Sequence, residues 1–325
     1  MERIRFVELL CADKQEEEAG VSVTCVALPV SDSDSPSFFC CGRSSGSISV
    51  YDIASNSSTY AERFCRIFPS AVNDLCLATN SLLLAAVFED GLIKIFRLSL
   101  LDDGPGMREV FSALPSKKNA ATSCCFSPQT HLLVVGTGVG SVLVYDVRNQ
   151  QLVRKLCPSS QAQSPVSQVA FHPDGSVFLT TATDGLARVW DSTGPCLATL
   201  IGSSDRGLGS GVFSPNGRFA LLGALEGEGL LGLWDLAHSG RLKRVRRYPR
   251  RNSKYWMRAG FDAKGNVVYG NELGQLRCLD SATGRERGSV QLDGISVPVA
   301  LATFQSHVVC GGLGSSRPKL FLLVE

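Results

Sequence analysis

The chain has 325 residues, 44% hydrophobic and 19% charged, and its 32 Lys and Arg against 30 Asp and Glu leave a net charge of +2. So apolar a chain with so little net charge is not disordered, and +2 exerts no whole-molecule pull toward nucleic acid or membrane. Its length exceeds the roughly 250 to 300 residues at which one core stops growing, which leaves two domains or a repeat, and a repeat fits better.

From the start of the chain, Arg3 to Leu9 reads as a lone strand, followed by an acidic stretch from Asp13 to Glu18. The opening residues lack the pattern of a signal peptide, and no run approaches the roughly 18 apolar residues of a spanning helix. The expectation is a soluble intracellular protein, nuclear and/or cytoplasmic, with no membrane partner. The 12 cysteines sit in apolar runs without CxxC or Cys/His ligand spacing. Cys40-Cys41 and Cys124-Cys125 fall in strand-like segments, where neighbours point to opposite faces and cannot share a metal. They read as small buried hydrophobes with free thiols, so neither a metal site nor a cofactor is expected.

Further along, a short apolar strand ending in an aromatic-Asp pair recurs at Tyr51-Asp52, Phe96-Arg97, Tyr145-Asp146, Trp190-Asp191, Trp234-Asp235 and Leu279-Asp280, with Leu322-Leu323 as a degenerate seventh. The spacings are 45, 49, 45, 44, 45 and 43 residues, and so regular a period decides the fold before any secondary structure is assigned. In the fourth unit Val166 to Phe171, Ser176 to Thr181, Leu186 to Trp190 and Cys196 to Leu200 read as four strands, with turns at His172-Pro173-Asp174-Gly175 and Asp184-Gly185. The neighbouring units turn at Ser127-Pro128-Gln129-Thr130, Ser214-Pro215-Asn216-Gly217 and Asp262-Ala263-Lys264-Gly265, which carry the residues that tight hairpins need. No 3.6-residue apolar stripe is present.

These residues resemble the WD-repeat family over essentially the whole chain. The resemblance implies an all-β fold, a seven-bladed WD-repeat β-propeller of four-stranded antiparallel blades, at about 46 residues per blade. The chain ends after three strands of the last blade, so the N-terminal strand is expected to complete that blade and close the ring, making residues 1–325 a single domain. The family's Gly-His before the first strand is missing, because His131, His172, His238 and His307 all stand elsewhere. Apolar packing between blades must therefore carry more of the stability.

Two glycine-rich motifs invite chemical readings. Gly42-Arg43-Ser44-Ser45-Gly46 fits the G-x-S-x-G nucleophile elbow, and Gly136-Thr137-Gly138-Val139-Gly140 resembles a phosphate loop. Both chemistries need a helix to follow, whereas strands follow here, so both read as hairpin turns. No carboxylate and histidine constellation assembles an acid/base or metal site, and no catalytic residue is assigned.

Between the fifth and sixth repeats lie Arg241, Lys243, Arg244, Arg246, Arg247, Arg250, Arg251, Lys254 and Arg258 without one acid, leaving 23 basic against 30 acidic residues elsewhere. This stripe is either a solvated outer strand protected by its charge or a docking surface for phosphates or an acidic protein segment. Nucleic acid would bind only here.

Repeats three to six resemble one branch in particular, the WD-repeat core subunit of COMPASS/MLL-type histone H3 lysine-4 methyltransferase complexes. The resemblance rests on Cys124-Cys125-Phe126-Ser127-Pro128-Gln129, Asp184-Gly185-Leu186-Ala187-Arg188-Val189-Trp190-Asp191, Val212-Phe213-Ser214-Pro215-Asn216-Gly217 and Asn252-Ser253-Lys254-Tyr255. It implies a non-catalytic scaffold that binds partner peptides, including a histone or methyltransferase partner. That branch clamps an arginine between two phenylalanines in its central channel, and Thr122 and Arg258 stand at those places here. An arginine on the channel wall would repel the usual ligand, while Asp74, Tyr255 and Trp256 could line a channel of altered preference. The branch's second surface, a shallow apolar cleft between blades five and six, is matched by Asn216, Phe219, Leu233 and Phe261, and beside the basic stripe it suits acidic-hydrophobic segments. The competing roles are an adaptor in an RNA-processing or ubiquitin-ligase complex and a hydrolase built on Ser44.

Overall fold

The computed structural model describes residues 3–12, 19–29, 35–54, 59–79, 82–100, 106–115, 119–157, 164–201, 207–224, 231–236, 243–248 and 258–324, with backbone only for 243–248. Among the described residues every element is a strand, and the strands form seven sheets. In chain order, blade 1 runs from Val23–Ala27 to Thr59–Ile67, blade 2 from Val72–Leu77 to Met107–Ala113 and blade 3 from Ala121–Phe126 to Gln151–Leu156. Blade 4 runs from Val166–Phe171 to Cys196–Ile201, blade 5 from Leu208–Phe213 to Lys243–Tyr248 and blade 6 from Ala259–Phe261 to Glu286–Gln291. Blade 7 is Val297–Phe304, His307–Leu313 and Lys319–Val324, with Arg5–Glu8 as its outer strand.

Each repeated dipeptide ends, or stands near the end of, the third strand of its blade. In blades 1, 3, 4 and 5 a register shift falls immediately before the aromatic, at Val50/Tyr51, Val144/Tyr145, Val189/Trp190 and Leu233/Trp234. Such bulges raise local twist and bend the strand, which fits four strands into a strongly twisted blade. Both glycine-rich motifs are hairpins. Gly46 donates to Arg43 O at 3.0 Å with φ +84°, and Gly140 donates to Thr137 O at 3.1 Å.

The N-terminal segment closes the ring as the sequence predicts. Arg5–Glu8 pairs antiparallel with Lys319–Val324, from Arg5 opposite Val324 to Glu8 opposite Phe321. The segment also reaches both neighbouring blades: Ile4 N donates to Arg287 O of blade 6 at 2.9 Å, while Leu10–Cys11 pairs in parallel with Thr59 and Tyr60 of blade 1. Its backbone comes so close to blade 6 that a Cβ at Gly288 would overlap the Ile4 carbonyl. One stretch of chain thus clasps three blades and leaves blade 7 without a bare edge.

Seven apolar clusters among the described residues each join two adjacent blades. Phe38 and Ile48 of blade 1 meet Phe88 and Phe96 of blade 2, and Val309 and Leu320 of blade 7 meet Phe39 and Tyr51 of blade 1. The remaining five seams are filled in the same way. Cys40 and Cys41 face opposite seams, as strand neighbours must.

Polar contacts compensate for the missing family histidines. Trp190 Nε1 still donates to Thr180 Oγ1 at 2.9 Å. A different network girdles the axis, based on a register shift at the second residue of the inner strands of blades 1, 2, 3 and 4. The side chain freed at each bulge donates to the first carbonyl of the next blade: Thr24 to Val72 O, Asn73 to Ala121 O, Thr122 to Val166 O and Ser167 to Leu208 O, at 2.5 to 2.9 Å. The third residue then accepts an N–H from the next blade, Ser123 from Val169, Gln168 from Gly211 and Ser210 from Ala259. Each is a buried or half-buried bond, contributing on the order of 1 kcal/mol.

All 12 cysteines are free, with Cys65, Cys157 and Cys196 exposed and six others buried. Burial pushes the Cys41, Cys125 and Cys278 thiols up to about 12, so almost no thiolate forms there near neutrality. Brief alkylation with iodoacetamide at pH 8 is expected to modify the three exposed cysteines and spare Cys25, Cys40, Cys41, Cys124, Cys278 and Cys310 until the protein unfolds. Mass spectrometry showing native labelling of Cys40 or Cys41 would contradict this packing.

Candidate functional site

The inner strands converge on the ring axis and enclose a funnel of about 650 Å3, lined from all seven blades and opening among the hairpins at Pro128, Pro173 and Pro215. Its wall is largely apolar, with Leu77, Phe126, Phe171, Val212, Leu301 and Phe304 among the lining side chains. At the narrow end Asp74 of blade 2 meets Arg258, which precedes the inner strand of blade 6, with Oδ1 3.1 Å from the guanidinium NH2. Blades 2 and 6 lie across the axis from one another, so this ion pair is a strut through the channel.

Asp74 is saturated. Its Oδ1 also accepts Leu75 N at 3.1 Å, and its Oδ2 accepts Ser123 Oγ at 2.6 Å and Cys124 N at 3.0 Å. Four donors compensate the buried carboxylate, whose side chain is 7% exposed. Around the mouth, Gln129 Nε2 donates to Asp174 O at 3.0 Å and His172 Nε2 lies 2.9 Å from Gly217 O, linking the turns of blades 3, 4 and 5. The Ser176 hydroxyl and N–H hold the Asp174 carboxyl down at about 2.

Of the channel residues expected from the sequence, Asp74 and Arg258 are brought together. Thr122 is not part of that pair, because its hydroxyl is committed to Val166 O at 2.5 Å. Tyr255 and Trp256 lie outside the described residues. The acid that could greet an incoming arginine already holds one from its own chain.

The four residues expected to form a cleft between blades 5 and 6 separate into two layers. Leu233 and Phe261 are buried in the apolar seam, 3% and 7% exposed, where the inner and second strands of blade 5 meet the inner strand of blade 6. Phe219 is half-buried against the same cluster, and Asn216 is exposed on the turn, its Oδ1 accepting Ser214 Oγ at 2.7 Å. Arg218 covers this corner, with its guanidinium 5.1 Å from the Phe219 ring centre and 3.1 Å from Asp235 Oδ2.

Lys243, Arg244, Arg246 and Arg247 fall in the outer strand of blade 5, in register with Asp235, Trp234, Leu233 and Gly232. Since Phe219 pairs with Asp235, the row Phe219, Asp235, Lys243 crosses the blade from the seam side chain to the basic strand. Arg241, Arg250, Arg251 and Lys254 lie outside the described residues. Ser44 sits in its hairpin with Oγ accepting Ser22 N at 3.0 Å. Among the described residues no cluster of His, Cys, Asp and Glu could hold a metal, and no helix is long and apolar enough to cross a membrane.

Sequence reasoning missed the girdle, although its signal was available: Thr24, Asn73, Thr122 and Ser167 repeat at 49, 49 and 45 residues, in phase with the blades. It also missed Arg43 as a structural centre, having treated that residue as part of a turn motif.

Residues 58–216 match the family described as the Nucleolar protein 10-like N-terminal domain, a β-propeller. The chain is 24% identical over 251 residues to the COMPASS component SWD3 of Saccharomyces cerevisiae, covering 73% of this chain and 75% of that protein. It is 26% identical over 195 residues to cleavage stimulation factor subunit 50 of Arabidopsis thaliana, 57% of this chain and 44% of that protein. It is also 25% identical over 118 residues to eukaryotic translation initiation factor 3 subunit I of Drosophila ananassae, 36% of this chain and 34% of that protein. Each of these relatives is named as part of a larger assembly. The aromatic-Asp period, the seven sheets and these likenesses agree: the chain is a seven-bladed β-propeller whose repeats resemble those of WD-repeat proteins.

Proposed function

We propose that the protein is a non-catalytic scaffold that holds partner peptides within a multiprotein assembly, a histone H3 lysine-4 methyltransferase complex first among them. Such a role places it in the nucleus, on chromatin, with a methyltransferase subunit or a histone among its partners. The observation that carries the reading is the end of blade 5 where half-buried Phe219 and exposed Asn216 lie in line, across one intervening strand, with an outer strand of four basic residues. An extended segment with apolar and acidic side chains satisfies both features: apolar groups against Phe219 and the Arg218 stem, acids toward the basic strand. The likeness to SWD3 over three quarters of that protein supports the choice of assembly.

A second reading, an adaptor in an RNA-processing complex, is favoured by the basic strand together with the likeness to cleavage stimulation factor subunit 50. Affinity purification from native cells followed by mass spectrometry distinguishes the two. The first reading expects a SET-domain methyltransferase among the stable partners, lost when Phe219→Asp or Arg246→Glu/Arg247→Glu is introduced, with the salt dependence of an electrostatic contact. Recovery of pre-mRNA cleavage factors instead transfers the protein to the second reading. If every partner stays bound to both variants while they remain folded, blade 5 is not the docking site.

A further inference from the structure

We propose that the central funnel binds an apolar ligand bearing a carboxylate, with the carboxylate seated on Arg258. The distinction between the two charges at the narrow end carries this. Asp74 accepts four hydrogen bonds from Arg258, Leu75, Ser123 and Cys124, which uses its acceptor capacity and leaves little to attract a cation. Among the described residues Arg258 makes one polar contact, to Asp74, and its side chain is 19% exposed on the funnel wall. A guanidinium has five N–H donors, so the contact with Asp74 leaves donor capacity on the funnel wall.

The other ionisable groups on the wall are engaged: Asp262 accepts Asn266 N and Nδ2, both at 2.7 Å, and His172 is held by Gly217 O and Asp174. Around these groups the wall is largely apolar, and about 650 Å3 lies within the range of sites that enclose small ligands. A ligand with an apolar body and one anionic oxygen pair therefore matches the cavity, burying hydrocarbon against Leu77, Phe126 and Leu301 while completing the guanidinium. With Arg258 only 19% exposed, the charge-assisted bond is stronger than at the open surface. Two sources supply this chemistry: a free aliphatic acid, or an acidic side chain between apolar residues of a peptide. The site is separate from the blade 5 corner and stands or falls independently of it.

Titration calorimetry on the full chain with octanoate, octanol and octylammonium tests the proposal. Octanoate is expected to bind at least about tenfold more tightly than octanol, octylammonium not measurably, and each methylene added from hexanoate to octanoate is expected to strengthen binding about fourfold. Arg258→Met should abolish the preference for the acid. Because that variant strands Asp74, Asp74→Asn/Arg258→Met, which leaves no unpaired charge, carries the same readout if the single variant does not fold. Equal affinity for octanoate and octanol, octanoate binding unchanged in the double variant, or no binding of octanoate at millimolar concentration would each overturn the site. Competition with acetyl-Leu-Phe-Glu-Leu-Phe-amide separates the sources: displacement of octanoate assigns the carboxylate to a protein segment, and retention assigns it to a small organic acid.

Discussion

Replacing Arg43 with methionine is expected to lower the unfolding free energy by about 3 to 5 kcal/mol, the cost of removing one partner from a buried charge network. Arg43 is 7% exposed at the end of the second strand of blade 1. Its Nε donates to Ser316 O of blade 7 at 2.6 Å, NH1 to Ser49 Oγ at 2.7 Å and Ser47 Oγ at 3.3 Å, and NH2 to Tyr51 OH at 2.6 Å. Glu62 lies 3.8 Å away and balances the charge. Burial pushes the Tyr51 hydroxyl well up from its ordinary pKa, so it remains a neutral acceptor for the guanidinium.

Methionine would fill most of the space but withdraw the guanidinium donors from Ser316 O and the Ser47, Ser49 and Tyr51 hydroxyls and the counter-charge from Glu62, and losing donors at buried acceptors costs more than the bonds contributed. Lysine should recover little, because one ammonium cannot present planar donors to partners on several sides. Urea unfolding of the two variants is the check, and a loss below about 1 kcal/mol for both would show that the network is incidental.

Removing residues 1–12 is the second large perturbation. Ile4 and Leu9 are 5% and 2% exposed, and losing two such side chains costs upward of about 4 kcal/mol. The deletion also removes the T-shaped contact of Phe6 with Phe321 at 6.2 Å and the ion pair of Glu8 with Lys319 at 2.7 Å. It bares the edge of Lys319–Val324, a mostly apolar strand with few charges to discourage pairing with another molecule. The expected result is a protein that aggregates on heating and unfolds at markedly lower temperature, with partial recovery on adding the missing segment as a peptide. Gly288→Val should give a milder version by pushing Ile4 away from blade 6. A truncated chain with unchanged melting temperature and no self-association would contradict the clasp.

The regular parts of this fold were legible because the physics behind them is local. Hairpins need Gly, Asp, Asn or Pro at fixed offsets, so Asp184-Gly185 and Ser214-Pro215-Asn216-Gly217 announce their turns, and the fourth blade's strands match the expectation to within a residue or so. The clasp was legible because a three-stranded last unit and a spare first strand have one economical resolution.

What escaped is non-local. Phe261 and Leu233 read as cleft residues until the neighbouring blade covers them. Arg258 was expected on the channel wall, but its ion pair with Asp74, four blades away in the chain, was not. Arg43 looked like turn punctuation because its partners at Ser316 and Glu62 come from another blade and another strand.

Hydrogen exchange read by mass spectrometry on peptides covering residues 3–12 and 319–324 tests ring closure most directly. If the N-terminal strand is the outer strand of blade 7, the amides of Arg5–Glu8 and Lys319–Val324 exchange slowly and together, because pairing one protects the other. Exchange of residues 3–12 at free-chain rates, with the remaining blades still protected, would contradict it.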